Sequence, residues 1–545
     1  MRIRQVCLLA TLVVAIGHGD AAAAGRTAPR QRAAKRVPKT RRPVPPRRLV
    51  RRLGVRRLRP RAAARRRLAG RLPSAHEARR FLAEVVARER RFYQPGVSYD
   101  AETGLTFDGH PIDQRSGELR GAPRNWSAAS KESLHIVLLA KAVAGDPTAR
   151  ALLTPDPGDP DQAVGRALDV LGKKIATYRR FHQKSPGFGG FLPWFKVAGG
   201  ELVPMKGWTD RVPGLDNGQL AWSLYLAEAV LREGGHVELA DAYRRHLELM
   251  ADNVVRVFYD PAGGQFRGEA VLARGGAVSP ARNRYRTSGY LIEDAYEGLL
   301  LVHFADLMGR WRGQAAGGRD AVWRTPRRTP ASFRHRGKRI TVVEGHWFSS
   351  HEDWGFLILP YRDLPVADRL FENAQRARTQ FSARRGLSGL FASTHRPVLD
   401  GDGRELAYEN ASGIQEIARD KVRQGAPIFA PYAAFPLALV DQRLFAGWLR
   451  SMVDRPGMLG PYGIGESYSE DGGTAPLLTW DGKALPMIAM MGGVSADIGR
   501  LLRRDGLYDP FLARVAGDYR LFDSKAIEGE DVPFHAPPPA RGAAP

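Results

Sequence analysis

The 545-residue chain carries 83 Lys and Arg against 57 Asp and Glu, a net charge of +26, and a single cysteine. That length can bury a large core without covalent staples, and one cysteine excludes a disulfide framework. The charge is local: 20 of the basic residues lie between Arg26 and Arg71, where there is no acid, while from Pro73 onward 61 Lys and Arg face 56 Asp and Glu, a balance that speaks against nucleic-acid binding by the body of the chain.

In chain order, Met1–Ala24 reads as a secretory signal: Arg2 and Arg4, an apolar run from Val6 to Ile16, then small residues. The run is too short to span a bilayer, and no transmembrane helix is expected in the mature chain, which should be periplasmic or secreted. Residues 25–72, rich in Arg, Pro and Ala, read as a disordered linker able to contact anionic envelope polymers. The body spans 73–527, and 528–545 reads as a disordered tail.

The capping box Ser74–Glu77 opens a helix to about Tyr93. An irregular stretch with Asp100, Asp108 and Asp113 precedes helices at Ser127–Val143 and about Pro160–His182. The run Gly187–Phe195, with Trp194, has strand character. Asp216 and Asn217 sit where a helix N-cap belongs, before an apolar helix reaching Leu231. His236–Phe258 and Tyr290–Met308 read as helices, Arg310–Lys338 as a basic loop insertion, and Asp368–Phe381 as an amphipathic helix. Asp400–Gly403 lacks a full calcium ligand set and reads as a tight turn. Apolar segments at Ala426–Val440 and Gln442–Val453, a Gly/Tyr loop at Gly460–Tyr468, one helix over Ala484–Leu502 and another over Pro510–Phe522 complete the body. Helices alternating with Gly-, Pro- and aromatic-rich loops, without βαβ alternation or a fixed repeat, predict an all-α toroid of helical hairpins.

Acids recur beside aromatic residues: Trp208 with Asp210 and Asp216; Tyr290, Glu293, Asp294, Tyr296 and Glu297; Trp347, Glu352, Asp353 and Trp354; Tyr462, Glu466 and Tyr468; Trp480 with Asp481. Glycosidic cleavage needs two carboxyl groups about the scissile bond. Sugar rings also need flat apolar surfaces. Glu297, followed by an apolar helix, is the candidate general acid, with Glu293 one turn earlier as partner or acid itself. Asp216, Asp353 and Glu466 compete to be the second carboxylate. Trp194, Trp208, Asn217, Tyr290, His351, Glu352, Trp354, Tyr462, Tyr468 and Trp480 are candidate sugar contacts. His346, His351, Glu352 and Asp353 match no metal-ligand spacing, so neither a metal nor a cofactor is expected.

The ordered segments Gly187-Phe188, Gly207-Trp208, Leu215-Asp216-Asn217, Glu297 with Ala305–Gly309, Ala430–Pro436, Leu459–Gly463 and Lys483–Met491 resemble the bacterial glucoamylase-like domain. That family includes β-1,2-glucanases. The resemblance implies an (α/α)6 barrel, a glycan substrate, and the family's acid at Glu297, with its base at Asp216 or a nearby acid. The sequence departs from the family at Leu215-Asp216-Asn217 (I-D-T there) and at Trp480–Pro486 (I-D-Q-G-P there). His351–Trp354 has no counterpart in it, and the glutamate expected after Met491 is missing. The expected activity is glycoside hydrolysis of a bacterial glucan or an envelope or extracellular polysaccharide. Two other readings stay open. One is a polysaccharide lyase using Tyr290, His346 or His351 as base. The other is a non-catalytic glycan-binding or polymer-export protein.

Overall fold

The computed structural model describes residues 71–154, 159, 161–392, 394–395, 408–409, 413–419 and 428–538. The expected signal, the Asp400–Gly403 turn and all of the expected linker but Arg71 and Leu72 lie outside them.

Six segments form an inner ring: Ala129–Val143, Gly214–Glu233, Leu299–Met308, the pair Ser350–Asp353 and Trp354–Ile358, the pair Pro431–Ala434 and Phe435–Ala438, and Trp480–Met490. Neighbours pack on one another and the last closes back on Ala129–Val143, while the third and fourth are joined through Glu297 and His351 at their N-terminal ends. Their sequences explain why they lie inside. Gly214–Glu233 is buried around its whole circumference from Asn217 to Leu231, and Ala129–Val143 is almost as enclosed. A helix apolar on every side must be covered on every side. The outer helices are one-sided. Val237–Phe258 buries Ala240, Tyr243, Leu247, Met250 and Val254, and turns its charged residues outward. Asp161–Lys184, Pro365–Arg384, Gln442–Val453 and Ala75–Glu89 form the same outer layer, the last opened by the expected capping box of Ser74 with Glu77. This is the all-α (α/α)6 barrel expected from the sequence.

Short antiparallel pairings decorate the loops. Gly109–Pro111 pairs with Leu477–Thr479, which brings Asp108 beside the start of the last inner helix. Trp126–Ser127 pairs with Phe195–Ala198, which pairs in turn with Glu201–Pro204.

Four element expectations are corrected. Helix Leu299–Met308 begins nine residues after Tyr290, because Ile292 N donates to Phe266 O and holds that stretch extended, so Glu293 and Glu297 do not share a helix. Helix Gly214–Glu233 starts at Gly214, so Asp216 lies in its first turn instead of capping it. The expected helix Ala484–Leu502 is two helices, Trp480–Met490 and Ser495–Arg504, bent by 69°. The break falls at Gly492 and Gly493, whose φ values of 82° and 71° suit glycine. Finally, residues 528–538 are packed, not frayed. Val532 is buried, Gln380 donates to Pro533 O, Trp448 Nε1 donates to His535 O, and Arg369 pairs with Glu530. Pro-rich composition there marks an extended strap across the outer helices. Within the basic segment Arg310–Lys338, strand Pro330–His335 forms a hairpin with Lys338–Val343. Among the described residues no single helix is long and apolar enough to cross a membrane.

Candidate active site

The ionisable groups gather at the N-terminal ends of the inner helices. Lys131 is in the first turn of Ala129–Val143, Asp216 in that of Gly214–Glu233, and Asp481 in that of Trp480–Met490. Glu297 precedes Leu299 by two residues, His351 precedes Trp354 by three, and Tyr432 precedes Phe435 by three. Helix N-termini carry partial positive charge and favour ionised carboxylates, so one end of the ring is suited to hold several acids.

Glu297 is 8 % exposed. Its Oε2 accepts from Gln219 Nε2 at 2.8 Å, and its Oε1 is bonded to His351 Nε2. Gln219 reaches it because two inner helices touch backbone to backbone: a Cβ on Gly218 would lie 2.5 Å from Leu301 N. Trp222 Nε1 donates to Leu300 O at 2.9 Å and locks the same crossing. His351 is enclosed by Tyr296, Trp354 and Tyr432. Burial depresses its pKa, but the Glu297 carboxylate, joined by the charges of Asp481 and Glu352, outweighs burial and holds it above the ordinary imidazole value.

Across the ring, Asp481 Oδ2 pairs with Lys131 Nζ at 3.2 Å, while its Oδ1 is buried and meets no donor among the described residues. Such an oxygen is costly unless water or substrate fills the gap. Thr479 caps this helix by accepting from Gly482 N, and its hydroxyl donates to Glu466 Oε2 at 2.6 Å. Burial pushes the Glu466 carboxyl up to about 7, with the charges of Asp481 and Asp108 adding to it. Burial likewise raises Asp108, which pairs with Arg124 at 3.3 Å. Asp216 is also raised by burial, although Lys131 opposes the rise, and its Oδ2 accepts from Trp194 Nε1 at 3.1 Å. Trp194 lies between Trp126 and Trp208 in a near-parallel stack, with centroids 5.7 and 5.5 Å away. All three indoles are half-exposed, so this ladder at the rim offers flat apolar faces.

The structure thus brings together Glu297, Asp216, Glu466, His351, Trp194 and, through the stack, Trp208. Other expected residues are spent elsewhere. Glu293 is exposed on the loop before the helix. Asp353 is neutralised by Arg378 and accepts from Gln375 at 2.9 Å. Glu352 accepts from the amides of Trp347 and Phe348 at 2.7 and 2.6 Å, fixing a turn in which Phe348 takes a φ of 54°. Asn217 clamps the N–H and C=O of Leu192. Trp354 and Trp480 are core residues, 2 % and 0 % exposed, and Trp480 Nε1 donates to Ser98 O. The Tyr290 ring lies against Gly268. Tyr462 carries Arg91 on its ring and Tyr468 carries Arg455. Each of these acids and aromatics satisfies a structural demand that sequence proximity does not reveal. His346 is held by Asp294 at 2.9 Å, and among the described residues no group of three His, Cys, Asp or Glu is arranged to hold a metal.

Asp481 and Asp108 stand out in the sequence only as acids in a cluster and a loop, without an assigned role, and Lys131 and Gln219 do not stand out at all. Asp481 had a signal: it stands opposite the aspartate of the family's I-D-Q-G-P run. Lys131 and Gln219 lie on apolar helices with nothing local to single them out.

The raised carboxyl of Glu466 has a thermodynamic consequence. An acid raised in the folded state contributes stability that is present below the unfolded value of about 4.3 and is lost as pH rises through the folded value. With the folded value at about 7, Glu466→Gln should gain in melting temperature relative to the parent between pH 5 and 8. Equal pH slopes for the two proteins in calorimetric scans would contradict this.

An (α/α)6 barrel with buried carboxylates gathered at the N-terminal ends of its inner helices defines a glycoside hydrolase of the glucoamylase-like architecture. The family model for endo-β-1,2-glucanase SGL matches residues 105–542, and the chain belongs to that family. The structure of an endo-β-1,2-glucanase from Talaromyces funiculosus in complex with sophorose is 33 % identical, with a TM-score of 0.79 over 84 % of this chain and 93 % of that one. The same figures hold for a glutamate-to-glutamine mutant of that enzyme in complex with β-1,2-glucan. A glucoamylase-like protein from Bacteroides caccae shares the fold at 14 % identity, with a TM-score of 0.52 over 82 % of this chain and 98 % of that one. No curated protein matches the chain significantly. Membership of a hydrolase family removes the lyase and non-catalytic readings. Their candidate bases are also engaged: His351 by Glu297, His346 by Asp294.

Proposed function

We propose that this glycoside hydrolase cleaves internal linkages of β-1,2-glucan, with Glu297 as general acid and Asp481 as the base that activates water. The observation that carries the assignment is the pair of contrasting environments at facing helix ends. Glu297 is buried, and the His351 imidazole, whose pKa its charge raises, is in direct contact with it. Asp481 pairs with Lys131 at a helix N-terminus, with one oxygen unclaimed among the described residues. Asp216 is the weaker base, since Trp194 already occupies one of its oxygens and burial favours its neutral form. Its place under the tryptophan ladder suits it to orient sugar. The substrate follows from the family and from the glucan-bound relatives.

Water activation by Asp481 implies inversion, so a β-linked glucan should release α-anomeric reducing ends. Proton NMR of the first turnover products reads this directly, and β-anomers appearing first would assign Asp481 as nucleophile instead. Asp481→Asn should lower kcat by about 10²–10⁴-fold with an unchanged melting temperature. Retained turnover would move the base to Asp216. The leader at Met1–Ala24 further supports export, tested by whether the mature protein from the native host begins near Gly25.

A further inference from the structure

Glu297 has a feature that a simple general acid lacks. Both of its oxygens face nitrogen: Oε2 accepts from the Gln219 amide at 2.8 Å, and Oε1 is in ion-pair contact with His351 Nε2. With Oε2 accepting from Gln219 and Oε1 set directly against His351 Nε2, the proton that an acid must hold falls most directly in the gap between Oε1 and that nitrogen. The only titratable group bonded to it is His351, whose other nitrogen, Nδ1, lies 3.4 Å from the Tyr432 hydroxyl. Resting on Glu297 as the acid, we infer that His351 is a positioning residue that stores the proton Glu297 delivers, so that the Glu297–His351 pair shares one exchangeable proton throughout the cycle.

The step balances. The His351 Nε2–H bond breaks, its electron pair stays on nitrogen, and an O–H bond forms on Glu297 Oε1. The imidazole becomes neutral as the carboxyl becomes neutral. Glu297 then protonates the departing glycosidic oxygen, the C–O bond breaks with its electrons going to that oxygen, and the attacking water gives its proton to Asp481. Solvent takes the proton from Asp481 and returns one to His351. The surroundings of the ring suit this role. Glu297 faces it from the loop before Leu299–Met308, Asp481 acts on it from Trp480–Met490, Glu352 from its own segment, and the Tyr296 and Tyr432 rings shield it from bulk water. Glu352 spends Oε1 on two backbone amides, and Glu297 is the carboxylate in direct contact with the His351 ring. A histidine used to bind sugar would instead offer a nitrogen to the cleft, and both nitrogens here face protein groups.

The test is the pH profile of kcat on β-1,2-glucan for the parent enzyme, His351→Gln and Glu297→Gln. Glutamine can keep a donor on Glu297 but cannot titrate. The alkaline limb of His351→Gln should move down by about one pH unit or more, with kcat at neutral pH reduced about 10–100-fold and recovering partly at acid pH. An alkaline limb at the parent's position overturns the inference, whatever the rate. Should His351→Gln fold poorly, histidine-labelled protein gives the second readout. The His351 nitrogen shifts should titrate at a lower pH in Glu297→Gln than in the parent, and identical titrations overturn the inference. If Glu297→Gln itself keeps full activity, the assignment of the acid has failed, an outcome distinct from failure of the His351 role.

Discussion

Glu297→Gln is expected to lower turnover of β-1,2-glucan by about 10²–10⁴-fold while leaving the fold and glucan binding intact. The change exchanges one oxygen for an NH₂ group of nearly equal size, so the crossing of Gly214–Glu233 with Leu299–Met308, held by Trp222 and Gly218, is undisturbed. On the proposed mechanism it removes the atom that carries the proton to the leaving group. The loss should fall in kcat, because the contact is made to the breaking bond and not to the resting sugar. It should also shrink for a glucoside whose leaving group needs no protonation, such as a nitrophenolate. A variant that keeps kcat and loses only KM would show that Glu297 binds sugar and that another acid protonates the bond. Parallel assay of Asp353→Asn and Glu352→Gln supplies the contrast. Their carboxylates are held by Arg378 and by backbone amides, so losses there should come with a fall in melting temperature.

That contrast also shows what the amino-acid sequence reveals about this site. Glu297 is legible because a lone acid at the head of the apolar run Leu299–Ala305 is a local anomaly, and buried acids at helix starts are seldom accidental. The hairpin pattern is legible for the same reason: an all-round apolar segment such as Leu220–Leu231 must be inner, and a striped one such as Val237–Phe258 must be outer. What is not legible is which acid has its charge already satisfied. Glu352 and Asp353 look as reactive in sequence as Glu297 does. Asp353 is consumed by Arg378, which lies 25 residues beyond it, and Glu352 by the amides of Trp347 and Phe348. The pairing of Asp481 with Lys131 spans 350 residues, and only ring closure brings them together. By sequence alone Trp354 and Trp480 are as good sugar contacts as Trp194 and Trp208, yet the first two are buried, whereas the ladder of Trp126, Trp194 and Trp208 is half-exposed. The difference is one of burial, set by tertiary packing.

Lys174→Met is the substitution expected to cost the most stability. Lys174 and Glu132 are both fully buried, and Nζ lies 2.6 Å from Oε2. Glu132 also accepts from Thr106 N and Thr106 Oγ1 at 2.6 Å each, and from the Tyr178 hydroxyl. These contacts tie the inner helix Ala129–Val143 to the outer helix Asp161–Lys184 and to the loop at Thr106. Removing the cation leaves a buried carboxylate without its counter-charge, which typically costs about 3–5 kcal/mol. The neutral donors that remain offset part of that loss, so the lower end of the range is expected. Burial lowers the Lys174 pKa, which shows that the lysine itself gains little from the site except through Glu132. Replacing both partners should therefore hurt less than replacing one: Glu132→Gln with Lys174→Met leaves no uncompensated charge and should recover more than half of the lost stability. Glu132 is adjacent in sequence to Lys131, the counter-ion of Asp481, so the single variant should also lose activity as this helix shifts, and the double variant should regain it. Calorimetric melting of the three variants beside the parent, with kcat measured on the same samples, tests the argument. A Lys174→Met protein that melts with the parent would show that the hydroxyl and amide donors alone hold Glu132, and that the ion pair contributes nothing to the ring.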